Sequence, residues 1–312
     1  MTCLPRVGKI SFFLMLLFVS AHGHATPEKV PTIVYKTING RDLRLFVFYP
    51  WSKPGTVSPA IVLFHGGGWY SGNPSRLFAQ CRYLASRGMV AFSVEYRTHD
   101  KFGGSPFDAV RDGKSAIRWV REHARDLRIE PNRIAAGGGS AGGQIAAAAG
   151  TVVGKEEPGE NLSVSSRPNA LVLFNPVIDN GPGGYGYHRL GNLYRKISPL
   201  HNINKNHPPT IILTGEKDAI VKLSAVRDYK KRLNHLGIRC DLHIYPGQPH
   251  GFYQYHAREP NPNFVATMRE VDRFLESLGY LKSGPDLSVC SWVDFSPTIE
   301  DSKLNHARPP HT

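Results

Sequence analysis

The stretch RIAAGGGSAGGQIAAAAG, residues 133–150, contains two overlapping glycine motifs that predict different folds. Gly137, Gly139 and Gly142 have the G-x-G-x-x-G spacing of a dinucleotide-binding turn. The overlapping G-x-S-x-G spacing around Ser140 is typical of a nucleophile elbow, a sharp turn that exposes a serine. Both motifs connect a strand to a helix, so the choice between them depends on the rest of the chain.

The dinucleotide interpretation fails on the position of the turn. Such a fold places its glycine-rich turn after the first strand and needs an acidic residue about 20 residues later, at the end of the next strand. Here several predicted strands precede the turn. The acids at that distance, Glu156, Glu157 and Glu160, lie in a loop, and the next strand begins only near Ala170.

The elbow interpretation requires two further side chains, because a serine hydroxyl is a weak nucleophile without a base and an acid that orients the base. In elbow folds the acid and then a histidine follow the serine, each in a loop after a strand. Asp218 in GEKDAIV and His250 in YPGQPHGF occupy such loops. We therefore expect Ser140, Asp218 and His250 to be catalytic, with Glu216 and Asp179 as substitute acids.

A third requirement is a set of N–H groups for the oxyanion of the intermediate. The sequence HGGGW, 65–69, follows a short apolar strand, and its glycines allow the backbone to approach a substrate oxygen closely. Together with the G-x-S-x-G motif later in the chain, this glycine run is a specific signal for an oxyanion loop.

Strand-like and helix-like patterns alternate through the chain, which predicts a mostly parallel sheet of about eight strands with helices on both faces. The predicted strands are Thr32–Ile38, Leu43–Tyr49, Ala60–Phe64, Met89–Tyr96, Arg133–Ala136, Leu171–Phe174, Thr210–Leu213 and Asp241–Tyr245. The predicted helices are Pro74–Arg87, Phe107–Leu127, Ala141–Val152, Leu223–Leu236 and Pro262–Leu278.

The two ends of the chain differ from this pattern. Arg6 and Lys9 precede an apolar run, and small residues follow it, which predicts a secretory signal peptide at 1–25 with cleavage near Ala25. We therefore expect a secreted or periplasmic protein with no membrane span in the mature chain. The catalytic domain is predicted at 26–282, and the Pro-, Ser- and His-rich tail at 283–312 is expected to be poorly ordered.

Charge and cysteine content indicate neither a nucleic-acid partner nor a metal or other cofactor. The formal net charge is +13, but the basic residues are scattered and no nucleic-acid-binding motif is present. Secretion would leave Cys81, Cys240 and Cys290, an odd number whose pairing stays open. The chain contains neither C-x-x-C nor H-E-x-x-H, the common metal-ligand spacings.

In order and spacing, HGGGW, GGSAGG, GEKDAIV and PHGF resemble the α/β-hydrolase carboxylesterases of the acetyl xylan/feruloyl esterase and hormone-sensitive-lipase type. The resemblance covers about residues 32–280. It implies an α/β-hydrolase fold with Ser140 as the nucleophile and Asp218 and His250 as its partners. The oxyanion hole that it implies is formed by the backbone N–H groups of Gly67, Gly68 and Ala141.

The chain departs from this family in three respects. Gly139 stands where hormone-sensitive-lipase relatives usually have Asp, and Gln144 stands where polysaccharide-deacylating esterases frequently have His. No long cap segment precedes the first strand. The stretch containing Asp108 and Asp112 is also similar to the family, and we expect both acids to be structural.

These features predict a serine esterase that acts on short-chain esters, most specifically on O-acetyl groups of a polysaccharide or oligosaccharide. The loop 178–208 is rich in Gly, Tyr, His and Arg, unlike the apolar lid of a lipase. Feruloyl or aryl esters and an arylformamidase-type amide are alternative substrates, a serine exopeptidase is less consistent with the chain length, and a non-catalytic carbohydrate-binding relative is a further alternative. The aromatic residues expected near the mouth could stack on rings or simply pack: Trp69, Tyr185, Tyr187, Phe252 and Tyr253.

Overall fold

A computed structural model describes residues 30–51, 55–256 and 262–284. The predicted signal peptide lies outside these residues, as does all but the first two residues of the predicted tail. The eight strands are β1 Thr32–Ile38, β2 Arg41–Phe48, β3 Ser58–Phe64, β4 Val90–Val94, β5 Ile129–Gly139, β6 Ala170–Phe174, β7 Thr210–Gly215 and β8 Cys240–Tyr245.

All eight strands form one sheet in the order β1-β2-β4-β3-β5-β6-β7-β8. The hairpin of β1 and β2 is antiparallel, and β2 also pairs antiparallel with β4. The pairings from β4 through β3, β5, β6 and β7 to β8 are parallel. The mostly parallel sheet predicted from the alternating pattern is therefore confirmed. The carboxyl ends of β3, β5, β6, β7 and β8 meet at one edge, where ligands bind in open sheets of this kind.

Helices cover both faces of the sheet, as predicted. The α-helices are α1 Phe78–Ser86, α2 His99–Phe102, α3 Pro106–Glu122, α4 Ala141–Thr151, α5 Tyr187–Leu190, α6 Leu223–His235 and α7 Pro262–Ser277. Side chains of α3, α4 and α6 pack in one core with one face of the sheet, and those of α1 and α7 pack in a second core with the other. None of the helices in the described ranges is long and apolar enough to cross a membrane.

Several predicted boundaries differ from those of the structure, and three of the differences have a clear local reason. β5 extends beyond Ala136 because the glycines that follow continue the ladder with β3 and β6. The helix predicted from Pro74 begins as a 3-10 turn, Pro74–Leu77, with Asn73 accepting a hydrogen bond from the Ser75 N–H. The helix predicted to reach Leu127 ends at Glu122, and turns with Arg128 at φ 54° lead into β5.

The two cysteines in the described residues, Cys81 and Cys240, are buried free thiols. Burial raises the pKa of the Cys240 thiol to about 12, so it stays protonated and unreactive. Cys290 lies outside the described residues, and the pairing left open by the sequence is not decided for it.

A buried ion-pair network attaches the 156–160 loop to α3 and β1. Asp112 is completely buried and accepts a hydrogen bond from Lys36 at 2.7 Å and a forked pair from the Arg97 guanidinium. Glu157 bonds the same Lys36 and Arg97, at 2.5 and 2.7 Å. Glu156 adds contacts to Lys114 and Arg118 of α3. Buried charges need partners of this kind, because an unpaired one is strongly destabilising.

Asp112 thus has the structural role predicted for it. Asp108, the other acid of that stretch, also acts structurally: its side chain accepts from the Ser105 N–H while the Ser105 hydroxyl accepts from the Asp108 N–H, a capping box at the start of α3.

This network predicts that the protein loses stability in acid. Burial alone would raise the pKa values of Glu156 and Glu157, but the hydrogen bonds and charges of Lys114 and Arg118 for Glu156, and of Lys36 and Arg97 for Glu157, hold both below the ordinary 4.5. A depressed folded-state pKa stabilises the protein above the unfolded pKa, and that contribution is lost as pH falls through the folded value. The free energy of unfolding, measured by urea titration, should therefore fall as the pH drops below about 4.5.

The matched variants are Glu156→Gln, which should flatten this acid dependence, and Asp126→Asn at an exposed position, which should leave it as in the parent. An equally steep acid dependence in Glu156→Gln would contradict the assignment.

Candidate active site

Ser140 lies at the turn between β5 and α4 with an unusual backbone conformation. Its φ of 55° and ψ of −121° are strained for a residue that carries a Cβ. Hydrogen bonds on both sides maintain the turn: the Ser140 N–H donates to the Phe174 carbonyl at 3.0 Å, and the Val177 N–H donates to the Ser140 carbonyl at 3.1 Å. The elbow predicted from G-x-S-x-G is thus present as a geometric feature.

The glycines beside Ser140 are required by close contacts. A Cβ at Gly142 would lie 1.9 Å from the Phe64 carbonyl oxygen at the end of β3. A Cβ at Gly139 would lie 1.7 Å from the hydroxyl of Tyr253. The absence of the family's usual Asp at position 139 therefore has a physical reason: the Tyr253 hydroxyl occupies the position that the Cβ of an Asp would take.

The structure brings together the three side chains predicted to be catalytic. The Ser140 Oγ lies 3.0 Å from His250 Nε2, and His250 Nδ1 donates to Asp218 Oδ2 at 2.8 Å. With Nδ1 as the donor, Nε2 is free to accept the serine proton. Each residue follows a different strand, β5, β7 or β8, so the sheet edge determines their mutual distances.

Asp218 is held in place on both of its oxygens. Oδ1 accepts from the N–H groups of Ile220 and Val221 at 2.8 and 2.9 Å, and Oδ2 accepts from Asn175 Nδ2 at 2.6 Å as well as from His250. Burial raises the pKa of Asp218, but these hydrogen bonds and the charge of His250 outweigh burial, and its pKa lies below the ordinary value. The side chain is 1% exposed and stays ionised beside the imidazole.

Neither substitute acid lies in this arrangement. The Glu216 carboxylate accepts from the Gly247 N–H at 2.9 Å. The Asp179 carboxylate accepts from the Gly181 N–H and faces His201 at 3.8 Å. Asp218 is the acid that the structure places against His250.

The predicted oxyanion loop runs along the elbow. An added Cβ at Gly66 would meet Gly139 O at 3.2 Å and Ser140 Cβ at 3.3 Å, which measures how closely the two backbones approach. Gly67 and Gly68 adopt φ values of 130° and 62°. Across residues 30–51, 55–256 and 262–284 we find no hydrogen bond from the N–H of Gly67, Gly68 or Ala141 to another group of the protein.

His65 supports this loop from the inside. Its ring is 1% exposed, stacks on Tyr96 at 4.3 Å between centroids and bonds the Gly66 carbonyl through Nδ1 at 2.8 Å. Burial lowers the pKa of His65 to about 3, so the ring is neutral. The Tyr96 hydroxyl donates to the His65 carbonyl at 2.9 Å. His65 is therefore a rigid support for the glycines that follow it.

Gln144 connects three segments that meet behind the loop. Its side chain is completely buried, and Oε1 accepts from the Trp69 indole N–H at 3.1 Å while Nε2 donates to the Ile197 carbonyl at 2.8 Å. Trp69, with φ 60°, is 1% exposed and packs against Tyr185. Sequence reasoning noted Gln144 only as a departure, because no spacing rule connects it to Trp69 or to Ile197.

A cleft of about 640 Å³ opens above Ser140 and His250. Its walls include the three loop glycines together with Tyr70, Arg76, Tyr185, Arg189 and Tyr253. Of the aromatic residues expected at the mouth, Tyr185 and Tyr253 do line the cleft, whereas Trp69 and Phe252 are buried packing residues and do not. Tyr187 packs on Tyr194 away from it. The basic residues of the wall had no motif that could have identified them.

Within the part of the chain that the structure describes, no group of three His, Cys, Asp or Glu side chains is placed to hold a metal ion.

The sequence and the fold of this chain are similar to those of known hydrolases. The BD-FAE family profile matches residues 45–182, and the prolyl oligopeptidase family profile matches residues 163–268. The structure is similar to that of Thermogutta terrifontis esterase 2 phosphorylated by paraoxon, with a TM-score of 0.77 and 39% identity. That match covers 82% of this chain and 96% of the other.

Among curated relatives, an acetylxylan esterase of Xylanibacter ruminicola is 28% identical over 78% of this chain and 48% of its own length. Esterase LipC of Mycobacterium tuberculosis is 25% identical over 64% of this chain and 54% of its own length. The chain thus spans about half the length of these relatives.

The Gln144 contacts predict a stability loss when its polar ends are removed. In Gln144→Leu, the Trp69 N–H and the Ile197 carbonyl lose their partners in a dry core, at about 1–3 kcal/mol for each buried polar group. The free energy of unfolding, measured in urea, should therefore fall by roughly 2–6 kcal/mol.

Gln80→Leu is the matched control. Gln80 is equally buried, but it makes one long hydrogen bond, 3.4 Å to the Tyr253 carbonyl, and its Oε1 has no partner among the described residues. Gln80→Leu should lower the free energy of unfolding by less than Gln144→Leu does. An equal decrease in both variants would contradict the role assigned to Gln144.

Proposed function

The chain belongs to the α/β-hydrolase carboxylesterases, and from that membership we propose that it hydrolyses short-chain carboxylic esters, specifically O-acetyl groups on a polysaccharide or oligosaccharide, with Ser140, His250 and Asp218 as the catalytic triad. The observation that carries the proposal is the single imidazole of His250, which lies 3.0 Å from Ser140 Oγ and 2.8 Å from Asp218 Oδ2.

In the proposed mechanism, His250 Nε2 takes the hydroxyl proton as Ser140 Oγ attacks the ester carbonyl carbon. The negative charge moves to the carbonyl oxygen, where the N–H groups of Gly67, Gly68 and Ala141 stabilise it. The tetrahedral intermediate collapses when the C–O bond to the alcohol breaks and His250 gives its proton to the leaving oxygen. A water molecule then repeats the attack on the acyl-enzyme and releases the acid.

The ionised Asp218 has a defined part in this cycle. His250 becomes a cation each time it accepts a proton, and a buried carboxylate 2.8 Å from Nδ1 stabilises that cation and fixes the ring orientation. The lowered pKa of Asp218 means that this carboxylate is ionised across the neutral range.

Several observations support short acyl groups. The wall of the cleft consists mainly of glycines, tyrosines and basic residues, and Ile220 is its one aliphatic side chain among the described residues, so it has no extended aliphatic surface that would receive a long chain. Structures of the Thermogutta esterase are described as propionate-bound and butyrate-bound. The Xylanibacter relative is named as an acetylxylan esterase, which supports an acetylated saccharide as the substrate.

The location that fits this substrate is outside the cytoplasm. The charged and apolar pattern at 1–25 supports secretion or export to the periplasm, with cleavage near Ala25. An acetylated polysaccharide would then meet the enzyme where such polymers occur.

The match of 163–268 to the prolyl oligopeptidase family favours hydrolysis of a peptide-type amide as a second candidate, because this segment contains both Asp218 and His250. Aminoacyl anilides offered beside the esters distinguish the two.

The catalytic assignment predicts a single labelled residue. A fluorophosphonate should add one phosphonyl group to the purified protein, detected by intact mass. Ser140→Ala should abolish this adduct and lower kcat by a factor on the order of 10⁶. Ser277→Ala, at an exposed position near the end of α7, should label like the parent. Esterase activity within tenfold of the parent in Ser140→Ala would exclude the mechanism.

The composition of the cleft wall predicts that kcat/KM falls as the acyl chain of the ester becomes longer. In a series of aryl acetate, butyrate and octanoate, kcat/KM should drop by at least about tenfold from butyrate to octanoate, because the one aliphatic side chain of the wall, Ile220, cannot cover the added methylenes. Acetate release from acetylated xylan, followed by chromatography, tests the polymer directly. Octanoate as the best ester, or feruloyl esters above acetyl esters, would count against the acetyl assignment.

A further inference from the structure

Arg76 is a half-buried cation in the wall of the cleft, and it has no partner among the described residues. It lies on the 3-10 turn Pro74–Leu77, which follows the oxyanion loop 65–69 after the short segment 70–73. We find no hydrogen bond or ion pair from its guanidinium to another residue of the described ranges. By contrast, the half-buried or buried cations of the network on α3 and β1, Lys36, Arg97, Lys114 and Arg118, each contact a carboxylate.

The other charged side chain in the wall of the cleft is also a cation. Arg189 lines the cleft as well, whereas among the described residues its wall contains no Asp or Glu. Arg189 is fixed there, since its Nη1 donates to the Gly68 carbonyl at 2.7 Å and its guanidinium lies over the rings of Trp69 and Tyr185 at 5.1 and 5.7 Å. The carboxylate bonded to His250, Asp218, is 1% exposed and contacts Nδ1, on the side of the ring away from Ser140.

Unpaired cations in a concave site favour anionic ligands, because the low-dielectric walls concentrate their field on whatever enters. Burying part of a guanidinium without a counter-charge costs free energy, and an incoming anion removes that cost. Arginine is also the side chain whose planar fork matches a carboxylate in two parallel hydrogen bonds.

The size of the cleft indicates which part of an ester meets this charge. A short acyl group fills only a small part of about 640 Å³, so most of the volume receives the alcohol. We propose that the cleft selects esters whose alcohol part carries a carboxylate or a comparable anionic group, which Arg76 binds with Arg189 contributing to the positive field. This inference rests on the proposed esterase function and narrows its substrate to acidic saccharides or acidic aryl alcohols.

The test compares 3-acetoxybenzoate with its neutral analogue 3-acetoxybenzamide, two acetyl esters of closely similar shape. The parent should hydrolyse the anionic ester with a kcat/KM at least about tenfold higher at low salt, and the ratio should shrink as the ionic strength approaches 0.5 M, where the Debye length is only about 4 Å. Arg76→Gln should reduce the ratio by about tenfold, and Arg76→Lys should restore part of it, since Lys keeps the charge but not the fork.

Arg125→Gln is the charge-matched control. Arg125 is exposed and lies just after α3, before β5 begins, at the edge of the sheet opposite the cleft. The Arg125→Gln variant removes the same charge from the protein as Arg76→Gln does, and it should leave the ratio of the two kcat/KM values unchanged. The ratio is measured on one preparation, so a partly inactive variant does not alter it.

The possible failures are distinguishable. Suppose that hydrolysis of the neutral ester depends on Ser140. If the parent then shows no preference for the anionic ester, or if Arg76→Gln retains the parent's preference, the inference is wrong and the esterase function stands. An equal change in Arg125→Gln would also overturn the inference, because net charge rather than Arg76 would then be responsible. If neither ester depends on Ser140, the proposed function fails, and the inference fails with it.

Discussion

The strained turn at Ser140 is the constraint on which the arrangement of the site depends. A residue with φ 55° and ψ −121° persists only where its surroundings determine it, and here the ends of β3, β5 and β6 enclose it. In that enclosure, backbone atoms of neighbouring strands occupy the positions that side chains at glycines within 137–143 would otherwise fill. The glycine content of 137–143 follows from this geometry, and so does the position of the hydroxyl at the open edge of the sheet.

The rest of the molecule can be understood as support for that edge. Two cores hold the sheet from both faces, and charged side chains hold the 156–160 loop on α3, away from the site. At the edge itself the polar groups differ in their surroundings. His65 is neutral and inaccessible beneath the glycines, whereas His250, between Ser140 and a buried carboxylate, faces the cleft. The same residue type thus serves as a support in one loop and as the candidate base in another.

Sequence reasoning predicted the elements whose signals are local and periodic. The eight strands, the five long helices and the residues that meet at Ser140 followed from strand order and from the loops after β5, β7 and β8. It missed contacts that depend on tertiary packing. For Trp69 the sequence left stacking at the mouth and packing both open, and the structure shows a buried indole at a residue with φ 60°. Arg76 and Arg189 carry no motif, and only the fold brings them to the same cleft.

Gln144 has a consequence for how this chain can diverge. Its two hydrogen bonds join positions 75 and 53 residues away in sequence, one in the oxyanion loop and one in the 178–208 loop. A residue of different shape or hydrogen-bonding capacity at 144 changes what is compatible at 69 and around 197. Because the bond to 197 goes to a main-chain carbonyl, we expect the residue at 144 to covary with the side chain at 69 and with the backbone path of the 178–208 loop. Grafting the 178–208 loop from one esterase into another should succeed only when the residue at 144 is transferred with it.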